Sequence, residues 1–144
     1  MSGKSFVDTN MFVYLFDADA PAKQQRCRDL VKAEASRIVI STQVLTEFYV
    51  TTTRKLARPL SASEAGAAVA ELCAFDVVGL DVPLVQNAVA RVRRDRLSLW
   101  DALIVEAALE SGCERLLTED LQVGRVFDGR LVVANPFAAR PETV

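Results

Sequence analysis

Four acidic residues stand where carboxylate chemistry could be done. They are Asp8 in Val7-Asp8-Thr9-Asn10, Glu47 in Ser41-Thr42-Gln43-Val44-Leu45-Thr46-Glu47, Asp101 in Ser98-Leu99-Trp100-Asp101, and Asp120 in Leu117-Thr118-Glu119-Asp120. The chain has no histidine, which excludes Ser-His-Asp and Cys-His nucleophilic catalysis, HExxH zinc chemistry and any imidazole base. Clustered carboxylate oxygens suit a hard cation, Mg2+ or Mn2+, able to polarise a phosphoryl oxygen and acidify a bound water. A phosphodiester could then be hydrolysed without histidine. Each acid also has an ordinary reading: Asp8 as a helix N-cap, Asp101 as half of a capping box, Glu47 as a solvated helix residue, Glu119-Asp120 as turn acids.

Acids so far apart in sequence need a frame to bring them together. Apolar runs at Ser5–Val7, Arg37–Ile40, Asp76–Leu80, Arg115–Leu117 and Leu131–Val133 predict strands. They lack polar alternation, which suits a parallel sheet covered on both faces. Helical patterns fill the intervals at Ala22–Ala35, Thr42–Leu56, Ser61–Ala74, Pro83–Arg94 and Leu99–Ser111, with a buried first helix over Met11–Phe16. Ser61-Ala62-Ser63-Glu64 has the form of a capping box, Gly112 marks a helix stop, and Val85, Ala88, Val89 and Val92 define an expected inner face. The alternation predicts an α/β fold: three layers, α/β/α, around a mostly parallel sheet of about five strands. One domain is expected over residues 1–138, with a loose tail at 139–144. Ligands of open parallel sheets bind beyond the carboxyl ends of the strands, the edge where all four acids are expected.

Bulk properties set limits. At 144 residues, 51% hydrophobic and 25% charged, the chain can bury a substantial core. A net charge of −2 makes it no general polyanion binder, so nucleic-acid contact would rest on local patches or on metal ions. Cys27, Cys73 and Cys113 form neither a CxxC knuckle nor an even disulfide set, which fits a reducing compartment. No basic leader with a long apolar run opens the sequence, and a cytoplasmic location without membrane contact is expected.

The four motifs, in order and approximate spacing, resemble those of the PIN domain family: Asp8-Thr9-Asn10 after an apolar run, Ser41 to Phe48, Trp100-Asp101-Ala102-Leu103-Ile104, and Leu117-Thr118-Glu119-Asp120-Leu121. The resemblance covers nearly the whole chain and is greatest to the VapC-type toxins of bacterial toxin–antitoxin pairs. It implies a Mg2+- or Mn2+-dependent endoribonuclease, usually a homodimer held inactive by a small antitoxin. Carried residue by residue, it makes Asp8, Glu47, Asp101 and Asp120 catalytic, with Asp8, Asp101 and Asp120 as metal ligands. Asn10 and Thr118 match supporting positions, and Glu119 competes with Asp120 as the fourth acid.

Two basic clusters flank these segments: Arg54, Lys55 and Arg58, and Arg91, Arg93, Arg94 and Arg96. They are either solvated helix faces or phosphate contacts to RNA, with Arg93 and Arg94 the candidates. Ser2-Gly3-Lys4-Ser5 lacks the strand and first glycine of a phosphate loop. Two other functions stay open: a non-catalytic PIN-like module that binds RNA or protein, and a haloacid-dehalogenase-like phosphatase. The latter expects a second aspartate where this chain has Asn10.

Overall fold

In the computed structural model, which describes residues 3–138, the chain runs β1 (Ser5–Val7), α1 (Thr9–Val13), a 3-10 turn (Tyr14–Phe16), α2 (Pro21–Glu34), β2 (Ile38–Ser41), α3 (Thr42–Arg54), α4 (Ala62–Leu72), β3 (Asp76–Val78), α5 (Val82–Asp95), α6 (Leu99–Glu110), β4 (Arg115–Leu117), β5 (Val126–Phe127) and β6 (Leu131–Ala134). The expected tail at 139–144 lies outside the described residues. Every residue of β1 and β2 is buried. Successive strand residues point to opposite faces, so both faces of the sheet centre are covered.

The strand order is β3-β2-β1-β4-β6-β5. All pairings are parallel except β5 with β6. The sheet thus has six strands where about five were expected. The additional strand comes from a hairpin whose signal, Asp128-Gly129, stands in the sequence: both residues have positive φ, as a type I′ turn requires. Arg130 N–H closes the turn on Phe127 O at 3.1 Å.

Other departures have local causes. The first helix starts at Thr9 rather than Met11, because Asp8 caps it, and tightens into the 3-10 turn at Tyr14. The second strand begins at Ile38; Arg37 belongs to a 3-10 turn and its guanidinium pairs with Glu34. The third ends at Val78, where Leu80 N–H turns to Thr42 Oγ1 and Asp81 caps α5.

Helix α5 is rotated from its expected inner face. Leu84, Ala88 and Arg91 are buried, while Val85 and Val89 are 37% and 54% exposed. Arg91 turns inward because Glu106 of α6 and Asp128 of the hairpin await it there. Helix α6 is apolar nearly all round and buried accordingly, from Ala102 to Leu109.

Beneath the site, Phe12 of α1 packs on Phe75 and Phe48 of α3 on Phe16, all ring centroids within 6 Å (5.8 and 5.7 Å). Burying Phe12 and Phe48, both fully buried, contributes roughly 1.5–3 kcal/mol each, which fixes the two helices that carry Thr9, Asn10 and Glu47. Among the described residues no helix is long and apolar enough to cross a membrane.

Candidate active site

The order of strands reverses at β1: later strands are added through β2 on one side and through β4 on the other. Such a switch point opens a crevice at the carboxyl ends of the strands. The register sets Val7 opposite Leu117, and Asp8 N–H donates to Leu117 O at 3.0 Å. The next residues, Asp8 and Thr118, therefore meet across the crevice. Thr118 Oγ1 donates to Asp8 Oδ2 at 2.8 Å and accepts from Asp120 N–H at 3.1 Å. One buried hydroxyl thus orients Asp8 and anchors the backbone that carries Asp120.

Asp8 is both an N-cap and a site acid. Its Oδ1 accepts from Thr9 N–H at 2.7 Å, leaving Oδ2 to Thr118. Burial pushes its carboxyl up to about 6; the Thr118 and Thr9 hydrogen bonds oppose this, and the charges of Asp120 and Glu47 add to it.

Glu47 reaches the same place from α3, whose start is capped by Ser41 Oγ. Thr9 Oγ1 donates to Glu47 Oε1 at 2.9 Å. Gln43 Nε2 stands 3.4 Å from Glu47 Oε2 and donates to Trp100 O at 3.2 Å, tying α3 to the first turn of α6. Asp101 follows in that turn. Ser98 Oγ accepts from Asp101 N–H at 3.1 Å, but no reciprocal bond from the Asp101 carboxylate is present among the described residues. The box at Ser61 is complete by contrast, with Glu64 Oε1 accepting from Ser61 N–H at 2.9 Å. Asp101 keeps its carboxylate for other work.

The adjacent acids Glu119 and Asp120 separate clearly. Glu119 accepts from Tyr14 OH and pairs with Lys23 Nζ at 3.0 Å. Burial would raise its carboxyl, but the Tyr14, Lys23 and Asn10 hydrogen bonds and the Lys23 charge outweigh that and hold it low. Asp120 has no such cation among the described residues. Burial raises its carboxyl, and the charges of Asp101, Glu119 and Glu47 raise it further.

Asp8, Glu47 and Asp120 line one open cleft of about 430 Å³, together with Asn10, Lys55 and Trp100. Asp101 does not line it, although its charge reaches Asp120. Arg93 and Arg94 are exposed on α5 and do not line it either. A larger cavity of about 540 Å³ lies over Arg91 and Asp128, where the charges are already paired. Sequence reading missed Thr9 and Gln43 as partners of Glu47, and Tyr14 and Lys23 as partners of Glu119. The only signal for Thr9 was its place beside Asp8.

Among the described residues no three acid, histidine or cysteine side chains converge closely enough to cage a metal. Mg2+ seldom needs a cage: it keeps several waters and binds through one or two carboxylates plus substrate phosphate. An all-oxygen donor set, with Asp8 and Asp120 both raised chiefly by burial and further by neighbouring negative charge, fits such a cation.

The fold is similar to that of a toxin–antitoxin complex from Klebsiella pneumoniae, at 19% identity and a TM-score of 0.71 over 94% of this chain and 100% of that one. It is similar to VapC20 of Mycobacterium tuberculosis, a sarcin-ricin-loop-cleaving toxin, at 21% identity and 0.63 over 78% and 87%. The DNA-bound VapBC of Salmonella typhimurium gives 19% and 0.65 over 92% and 98%. No curated protein matches by sequence. The family model for the PIN domain matches residues 5–127, and the chain belongs to the PIN domain family.

Proposed function

We propose that this protein is a Mg2+- or Mn2+-dependent endoribonuclease, the toxin of a toxin–antitoxin pair, whose site is the cleft lined by Asp8, Glu47 and Asp120, with Asp101 close enough for its charge to reach Asp120. The observation that carries the reading is the Thr118 hydroxyl, which bonds Asp8 at 2.8 Å and the backbone of Asp120 at 3.1 Å at the switch point of the sheet. A carboxyl group buried for packing alone has no need of a second, uncompensated acid fixed beside it.

Asp8, Asp101 and Asp120 would hold the cation. When bound, it would supply Lewis acidity at a phosphoryl oxygen and lower the pKa of a coordinated water. Thr9 and Thr118 keep the carboxylates oriented. Glu47, with Oε1 on Thr9, keeps the loosely held Oε2 to accept a proton from an attacking water. Tyr14 and Lys23 hold Glu119 aside, which favours Asp120 as the fourth acid, with Asn10 supporting the site from the cleft wall. Arg93 and Arg94 would contact RNA phosphates beyond the cleft. The likeness to toxin–antitoxin complexes supports a small antitoxin partner; a homodimer is what the resemblance to VapC-type toxins implies, and the protein would work in the cytoplasm.

Incubating the purified chain with structured and unstructured RNAs tests this. Cleavage should require Mn2+ or Mg2+, stop in EDTA, and fall about a hundredfold or more in Asp8→Asn, the scale of losing a group that acts in the transition state. Cleavage that persists in that variant would remove the mechanism. Binding without cleavage would leave a non-catalytic PIN module.

A further inference from the structure

Helix α6 buries all its apolar residues from Ala102 to Leu109, yet Trp100 in its first turn is 62% exposed. An indole left in water forgoes a large apolar burial. The backbone of Trp100 is fixed at the cleft. Its carbonyl accepts from Gln43 Nε2, the amide that stands beside Glu47, so the ring is carried by the network that orients the acids.

Trp100 shares the cleft with one side of α3 and with Lys55, which caps its end. Glu47, Val50, Thr51 and Lys55 fall at i, i+3, i+4 and i+8 and all line the cleft. Along that stripe the character changes from carboxylate through apolar to cation, over about 12 Å of helix axis. Lys55 is exposed and forms no ion pair among the described residues. The cleft therefore offers an aromatic face and an unpaired ammonium beside the acids. That combination matches one nucleotide whose base is free to stack and whose neighbouring phosphate needs a cation. A duplex does not match it, because its base faces are stacked on each other and only unpaired segments can splay a base onto an aromatic ring.

We propose that Trp100 and Lys55 form a subsite for unpaired RNA, with Trp100 stacking on one base and Lys55 holding an adjoining phosphate. This rests on the cleft being the nuclease site, and the test keeps the two claims apart.

Trp100 is the one tryptophan of the chain, so its emission reports its own contacts. The wild type in EDTA and the Asp8→Asn variant are titrated with a short unstructured oligoribonucleotide and with the same strand in a full duplex. The single strand should quench the emission with the midpoint given by anisotropy of a labelled copy, and the duplex should not. Trp100→Ala should weaken single-strand binding by about ten- to a hundredfold, and Trp100→Phe should restore most of it. Lys55→Gln should flatten the salt dependence by about 0.7 in log–log slope. No binding, binding without quench, equal quench by duplex, or an unaffected Trp100→Ala overturns the subsite. So does loss of self-association in Trp100→Ala on sedimentation, which would place the ring between copies of the chain. Metal-dependent cleavage without quench removes the subsite and leaves the nuclease; quench without cleavage does the reverse.

Discussion

Around Arg91, carboxylates from three places in the chain close on one buried guanidinium; around Asp8, Glu47 and Asp120 line the same cleft and Asp101 lies near, with no ion pair to any of them among the described residues. Arg91 is 3% exposed and reaches Asp95 at 2.7 Å, Glu106 at 2.8 Å and Asp128 at 2.9 Å. Burial disfavours its charge, but the three carboxylates more than offset this and raise its pKa. At the cleft the nearest paired acid is Glu119, whose cation is Lys23; Asp8, Glu47, Asp101 and Asp120 form no ion pair among the described residues. Both clusters fasten distant segments. One is complete as the chain folds, and the other accumulates charge that an external cation can relieve. The difference separates structural from functional charge better than burial does.

The largest expected effect breaks the complete cluster. Arg91→Met keeps most of the apolar stem but leaves Glu106, Asp95 and Asp128 facing one another. Removing one partner of a buried ion pair costs about 3–5 kcal/mol, which lowers the melting temperature by roughly 10 °C or more for a chain of this size. A shift of under about 2 °C would mean that Arg91 contributes little and that the contrast between the clusters is overstated.

The second effect runs the other way. The Asp8 carboxyl is raised from 3.8 to about 6, so the folded chain holds that proton more tightly than the unfolded chain. Its stabilising contribution is fully present below about pH 4 and is lost as pH rises through about 6. The full loss is up to about 3 kcal/mol. In EDTA, Asp8→Asn should therefore be more stable than the wild type at pH 7.5, with the gap closing toward pH 4. Saturating Mn2+ should narrow the gap by stabilising the wild type. Urea melts at several pH values measure it, and taking the difference between the two proteins cancels the other carboxyls. A gap that does not change with pH removes the charge argument for Asp8.

Asp8 and Thr118 were legible in the sequence because each follows a short apolar strand, and parallel strands that pair in register bring their ends together. The bond between Thr9 and Glu47 was not, since it links residues 38 apart whose meeting depends on how α1 packs on α3. Helix α5 shows why periodicity alone misleads. Its valines outline an apolar stripe, yet the buried face is the one that satisfies Arg91, because an unpaired buried guanidinium would cost more than two exposed valines gain. Glu119 and Asp120 could not be told apart from their own segment. The distinction lies in Lys23 and Tyr14, from α2 and the turn before it. The Asp128-Gly129 turn was readable and gives both the sixth strand and a partner for Arg91.

The smallest effect sharpens the comparison on the cationic side. Arg93 and Arg94 are neighbours on the exposed part of α5, but Arg94 stands 3.6 Å from Asp95 and 3.8 Å from Asp128, while Arg93 has no such pair among the described residues. Each phosphate contact to single-stranded nucleic acid contributes about 0.7 to the log–log salt slope. A cation already facing carboxylates releases less on binding, because its charge is partly neutralised before RNA arrives. Arg93→Gln should therefore lower the slope by about 0.7, and adding Arg94→Gln should lower it further by clearly less than that. Anisotropy titrations over a range of salt read both values. Equal steps would show that the Asp95 and Asp128 pairings are too exposed to matter, as for most surface ion pairs. No change in either would take this face of α5 off the RNA path and leave the cleft as the whole of the binding surface.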